Sequence, residues 1–181
     1  AGGVWHRGPG MDFIGRVKAE LPDFPILAEN LGFLTPEVHR LLEDSGFPGM
    51  AVLQFAFGGG GDSEYLPHNH RRRMVVYTGT HDNTTSAHWP QAAPPEEAAF
   101  AREYLGLAPD GDFADGLVRA ALASVCDLAV VPLQDYLGLG AQARINTPST
   151  LGGNWTWRLT PGQATPELAA RMARLVRIYG R

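Results

Sequence analysis

Cysteine is almost absent: Cys126 is the single one in 181 residues. That excludes an intrachain disulfide and a cysteine-based zinc site, and it fits a reducing cytoplasm. An excess of positive charge is lacking too. Lys and Arg total 15 against 19 Asp and Glu, a formal charge of −4. Bulk attraction to nucleic acid or to an anionic membrane is therefore not expected. Long apolar runs are missing. The stretch 128–133 is among the longest, and it falls far short of the ~20 residues a membrane span needs. No charged n-region followed by an apolar h-region is in view, so no signal peptide is expected and the expected location is cytoplasmic. No internal repeat and no flexible interdomain linker stands out.

What is present is turn chemistry and short apolar segments. Gly (22) and Pro (14) make up about a fifth of the chain, against a usual share near ~12%. Phe13, Ile14, Val17 and Leu21 have helical spacing, and Pro22 ends that helix over 11–21. Residues 25–29 form an apolar run that reads as a buried strand. Thr35-Pro36-Glu37 is a helix start and Gly46 suits its end. Strands are expected over 50–57, 74–80 and 127–134, with helices over 96–105 and 113–125. Residues 81–95 read as a polar loop and 135–161 as mostly irregular. Thr165-Pro166-Glu167 opens a last helix with an apolar stripe.

Short apolar strands alternating with helices imply a parallel sheet covered on both sides. An open doubly wound sheet and part of a (β/α)8 barrel both fit. A whole barrel takes ~250 residues, so four strands would make about half of one.

Polar residues gather after the strands, where parallel α/β sheets bind ligands. Glu29 closes the first strand, His81-Asp82-Asn83 follows the third, and Gln134-Asp135 follows the fourth. Two carboxylates on separate strand ends suit glycoside chemistry: one exchanges protons, the other stabilises positive charge on the sugar ring. Each also has a plain reading, with Glu29 as a salt bridge or cap, Asp82-Asn83 as an Asx turn and His81 as a loop histidine. Other features point elsewhere only weakly. His68-Asn69-His70 with His81 lacks acidic or Cys ligands at metal spacing. The glycines at 58–61 lack the Lys-Ser/Thr of a phosphate loop. Arg71-Arg72-Arg73 reads as a solvated patch. Asn83-Thr84-Thr85 and Asn154-Trp155-Thr156 match the glycosylation pattern without a secretory context. Trp5, Trp89, Trp155 and Trp157 are candidates for stacking on sugars or for packing.

Several segments in order carry a resemblance. They include Pro25-Ile26-Leu27-Ala28-Glu29-Asn30-Leu31-Gly32, Val52-Leu53-Gln54-Phe55-Ala56-Phe57 and Tyr65-Leu66-Pro67-His68-Asn69. Tyr77-Thr78-Gly79-Thr80-His81-Asp82-Asn83, Pro132-Leu133-Gln134-Asp135-Tyr136-Leu137-Gly138-Leu139, Ala143-Arg144-Ile145-Asn146-Thr147-Pro148 and Gly153-Asn154-Trp155-Thr156-Trp157-Arg158 follow. The chain resembles the amylomaltase family, the 4-alpha-glucanotransferases of glycoside hydrolase family 77. The resemblance implies a (β/α)8 barrel and retaining transfer of α-1,4-glucan segments between maltooligosaccharides, with no metal or organic cofactor. It makes Glu29 the general acid/base, Asp82 the transition-state stabiliser, and His81 and Asn83 sugar-binding residues. No nucleic-acid or membrane partner is implied.

The chain departs from the family's pattern in three places. The aspartate nucleophile of such enzymes sits in an Arg-x-Asp-His-type motif one strand before the acid/base. No such motif occurs here, and neither Asp12 nor Asp23 matches it. Residues 1–181 are therefore expected to form a partial catalytic domain, the carboxyl-terminal half of the barrel, inactive alone. Asn30 stands where the family commonly has Asp, and Thr84 falls near another usual Asp. The rival readings are a non-catalytic glucan-binding module and an alpha-amylase-type hydrolase fragment.

Overall fold

In the computed structural model, which describes residues 3–4, 6–32 and 34–181, the helix expected over 11–21 forms as α1 (Met11–Glu20). It starts after Gly10, whose φ of 53° few other residues tolerate, and ends where the Leu21 N–H reaches the Val17 carbonyl at 2.8 Å. Its apolar stripe stays open: Phe13 is 62% exposed. The Thr-Pro-Glu start gives α2 (Pro36–Ser45), closed by Gly46 at φ 64° with its N–H on the Glu43 carbonyl. The Ser45 hydroxyl donates to the Leu42 carbonyl at 2.6 Å and accepts from the Phe47 N–H at 3.0 Å, which turns the chain out of the helix.

The strand expected over 25–29 is not formed. Pro25 has no N–H to give a ladder, and in this run the Ala28 N–H alone bonds the strand-proximal chain, at the Pro48 carbonyl. With that one bond the stretch forms no ladder. Residues 1–50 form one unit and 51–181 a second, the division falling inside β1 (Gly49–Val52).

The second unit carries the sheet. Its strands run in the order β1-β2-β3, with β2 (Met74–Tyr77) and β3 (Leu128–Val130) parallel and Val76 opposite Ala129. Three strands form among the described residues, not the expected four, and all are shorter than the apolar runs that signal them. After Val52 the chain tightens into a 3-10 turn at Leu53–Phe55. After β3, Pro132 lacks the N–H a ladder needs and starts α6 (Leu133–Tyr136) instead.

The loop after β2 contains one short helix, α3 (Trp89–Ala92); α4 (Pro95–Tyr104) and α5 (Phe113–Ala123) lie where helices are expected. Asp112 caps α5 by accepting the Asp115 N–H at 3.1 Å. The final helix α7 (Pro166–Tyr179) is capped by Thr165 and closed by Gly180. Helix α5 serves two cores. Leu117 and Ala121 pack with Leu53, Leu66, Val76 and Trp89. Val118 and Leu122 pack with Tyr136 and Leu175. Burial of such side chains stabilises by about 1.5–3 kcal/mol each, and the arrangement sets the ends of β2 and β3 beside one another.

Candidate functional site

Strand β2 ends at Tyr77, and the chain beyond it turns back on itself. Asn83 makes that turn: its side-chain oxygen accepts the Thr80 N–H and the Thr80 hydroxyl, both at 2.9 Å. The Thr80 hydroxyl in turn accepts the Asp82 N–H at 3.3 Å. The expected Asx turn at Asp82-Asn83 does not form: Asn83 reaches back three residues to Thr80, and the Thr80 hydroxyl makes the two-residue turn onto the Asp82 N–H, which holds His81 and Asp82 at the tip. Their side chains remain 52% and 49% exposed.

Residues far along the chain fix this tip. Asn146 donates its side-chain N–H to Asp82 Oδ1 at 2.5 Å. The Arg144 guanidinium donates to the Asp82 carbonyl at 2.6 Å and to the Asn146 carbonyl at 2.8 Å. The Asn146 N–H reaches the His81 carbonyl at 3.1 Å. His81 Nε2 lies 3.4 Å from Asp82 Oδ1. The His81 ring packs on Trp155, centroids 4.9 Å apart. Trp155 has φ 61° and is 57% exposed, and its N–H bonds the Ile145 carbonyl at 2.7 Å. A left-handed backbone at a bulky residue is strained and persists only where its surroundings hold it. No local pattern marks Arg144 and Asn146 for chemistry, and the segment Ala143-Arg144-Ile145-Asn146-Thr147-Pro148 that carries part of the resemblance is their one signal in the sequence.

Behind the tip lies a cleft of about 250 Å³ including its open mouth, lined among others by Thr80, Asn83, Gln134, Asp135 and Arg144. Asp135 is the carboxylate that follows β3. It is buried, and it accepts from the Thr78 hydroxyl (2.5 Å), the Ser86 N–H (2.8 Å) and the Ser86 hydroxyl (2.7 Å). Gln54 reaches the same segment from the 3-10 turn after β1, donating to the Thr84 carbonyl at 2.9 Å.

Glu29 belongs to the first unit. It is exposed, and the next residue, Asn30, is buried. Asn30 Oδ1 accepts the Met50 N–H at 2.6 Å, so the residue standing in for the family's usual Asp secures the start of β1 to the Glu29 segment.

The weaker candidates resolve into structure. His68 uses both ring nitrogens, on the Tyr104 hydroxyl and the Gly61 carbonyl, each at 2.9 Å. His70 does likewise, with Ser124 Oγ at 2.7 Å and the Tyr65 carbonyl at 2.9 Å. No group of three or more metal-ligating side chains gathers among the described residues. Trp89 is core, stacked on Phe113 with centroids 5.4 Å apart. Trp5 lies outside the described residues. Cys126 is buried, and burial pushes its thiol up. No helix among those residues is long and apolar enough to cross a membrane.

A parallel sheet whose strand ends carry loop-borne polar groups is the arrangement of α/β barrel enzymes. The 4-alpha-glucanotransferase family model matches residues 1–165, and the chain belongs to that family. It is 44% identical to a 4-alpha-glucanotransferase of Clostridium butyricum over 99% of this chain and 37% of the relative. It is 44% identical to that of Thermus thermophilus over 94% of this chain and 35% of the relative. The amylomaltase of Streptococcus agalactiae, solved in complex with acarbose, superposes with a TM-score of 0.92 at 35% identity. That match covers 98% of this chain and 36% of the other. The fold is α/β and corresponds to part of a (β/α)8 barrel; the chain spans about a third of the length of its relatives.

Proposed function

We propose that the protein is a retaining 4-alpha-glucanotransferase acting on α-1,4-glucans. The observation that carries this reading is family membership over residues 1–165, joined to the Asp82 carboxylate held by Asn146 at the tip beyond β2. The relatives are named as transferases, which supports transfer over a glucan-binding module or a hydrolase.

In this reading Glu29 protonates the glycosidic oxygen as the C1–O bond breaks. Positive charge then builds on the ring oxygen and C1. Asp82, with one oxygen oriented by Asn146, accepts hydrogen bonds from ring hydroxyls and stabilises that charge. His81 and Asn83 bond the same sugar, and the Asn83 side-chain oxygen also holds the turn at Thr80. A carboxylate elsewhere in the barrel attacks C1 and forms the glycosyl–enzyme bond. Glu29, now a carboxylate, takes the proton from the acceptor's hydroxyl, whose oxygen displaces the enzyme carboxylate from C1. Two displacements restore the α configuration.

No Arg-x-Asp-His motif lies within the 181 residues, so these residues act as a partial catalytic domain, the barrel's carboxyl-terminal half, and do not turn over substrate alone. The reaction needs no cofactor, and the setting is cytoplasmic. The test is disproportionation of maltotriose by the protein expressed from its complete reading frame. Glu29→Gln and Asp82→Asn should each lower kcat by about 10²–10⁴-fold. Near-normal rates from either variant would refute its role.

A further inference from the structure

Asp135 is 2% exposed, and its three hydrogen bonds come from two residues that flank one loop. Thr78 directly follows β2; Ser86 ends the polar segment that contains His81, Asp82 and Asn83. Both are fully buried. The carboxylate therefore joins the two roots of the segment 79–85 through Thr78 Oγ1, Ser86 Oγ and the Ser86 N–H. Between those roots the segment is tied to itself, with Asn83 Oδ1 on Thr80. A closed, self-braced loop moves as a body, so fixing its roots fixes the direction of its tip.

We propose that Asp135 is a positioning residue: it clamps both roots of the segment 79–85 and so sets where Asp82 and His81 meet the sugar. Its role in turnover rests on the transferase reading above; the clamp itself does not. A carboxylate suits the place because it offers acceptors on both oxygens and no donor to repel the three N–H and O–H groups around it. Asparagine has the same shape but turns one of those edges into a donor. The short helix α6, which follows the neighbouring parallel strand β3, thus supplies the brace for the loop that bears the chemistry.

The test uses the protein expressed from its complete reading frame, as wild type, Asp135→Asn, Ser86→Ala and the double variant. The expected result for Asp135→Asn is a fall in kcat on maltotriose of about 30-fold with KM changed by less than about threefold, as befits a displaced transition-state group. The double variant should lose little beyond Asp135→Asn, because both changes break one clamp. Hydrogen exchange should accelerate about tenfold at the amides of 79–85 while those of β2 and β3 hold their protection. Unchanged exchange over 79–85, or acceleration spread evenly over β2, β3 and α5, would overturn the clamp. So would additive losses in the double variant. A wild type that leaves maltotriose untouched would sink the transferase reading instead, and the exchange measurement then decides the clamp.

Discussion

Replacing Asn146 by Ala removes one hydrogen bond from Asp82 and little else. The bond is short, 2.5 Å from Asn146 Nδ2 to Asp82 Oδ1, and its acceptor is a carboxylate. Hydrogen bonds to charged groups contribute about 1.5–3 kcal/mol. The Asp82 side chain is half open to water, which replaces part of the lost interaction, so about 1–2 kcal/mol is the fitting range here. The backbone tie from the Asn146 N–H to the His81 carbonyl survives the change, and so does the Arg144 bond to the Asp82 carbonyl. The loop should keep its place while the carboxylate gains rotational freedom. Each 1.36 kcal/mol of barrier is tenfold in rate, so kcat/KM for maltotriose should fall about 5–30-fold. The assay is initial-rate release of glucose, with folding checked by an unaltered thermal midpoint. A rate within about twofold of wild type would show that Asn146 does not orient Asp82.

Three further outcomes follow from the packing. Gly79→Ala would place a Cβ 2.6 Å from Gln54 Nε2 and 3.2 Å from Asn83 Cβ; the expected loss is about 1–3 kcal/mol of stability, read by urea titration. His70 is held neutral by burial, which lowers its pKa below the ordinary 6.5 despite the opposing Tyr65 carbonyl bond. The unfolded chain then binds more protons as pH falls through 6.5 towards the folded value, so stability is present above 6.5 and lost below it. The thermal midpoint should drop from pH 7.5 to pH 5.5, by less in His70→Asn. Finally, burial pushes the Asp115 carboxyl up, but hydrogen bonds and charge from Arg119 and Arg171 outweigh it and hold the group low. Arg171 also donates to the Tyr136 carbonyl at 2.7 Å, so Asp115→Ala should loosen α5 from α7 and cost about 1–2 kcal/mol in thermal unfolding.

The helices were legible because their signals are local. Thr-Pro-Glu starts mark α2 and α7, and Gly46 marks the end of α2, within a few residues. Strand ends were not, since tertiary contacts accompany them: β1 gives way after Val52 to a 3-10 turn whose buried Gln54 donates to the Thr84 carbonyl, and Pro132 opens α6 beyond β3. The run at 25–29 has strand composition but only one ladder-like bond, and no local pattern announces that. At the site, the position of His81 and Asp82 beyond a strand was readable from alternation and apolarity. Their supports were not. Asn146 lies 64 positions from Asp82 and Ser86 lies 49 from Asp135, and pairings at such separation leave no trace in spacing or propensity. Asn30 shows the same limit: a departure from the family's residue in sequence, an anchor of β1 in structure.

The central claim is that the protein transfers α-1,4-glucan segments to sugar acceptors. The direct measurement is to incubate the protein from its complete reading frame with maltotriose and isotopically labelled glucose, then separate the products. Transfer predicts the label at the reducing end of α-1,4-linked chains longer than the acceptor. Labelled glucose left free while shorter sugars accumulate, or maltotriose left intact, would contradict it.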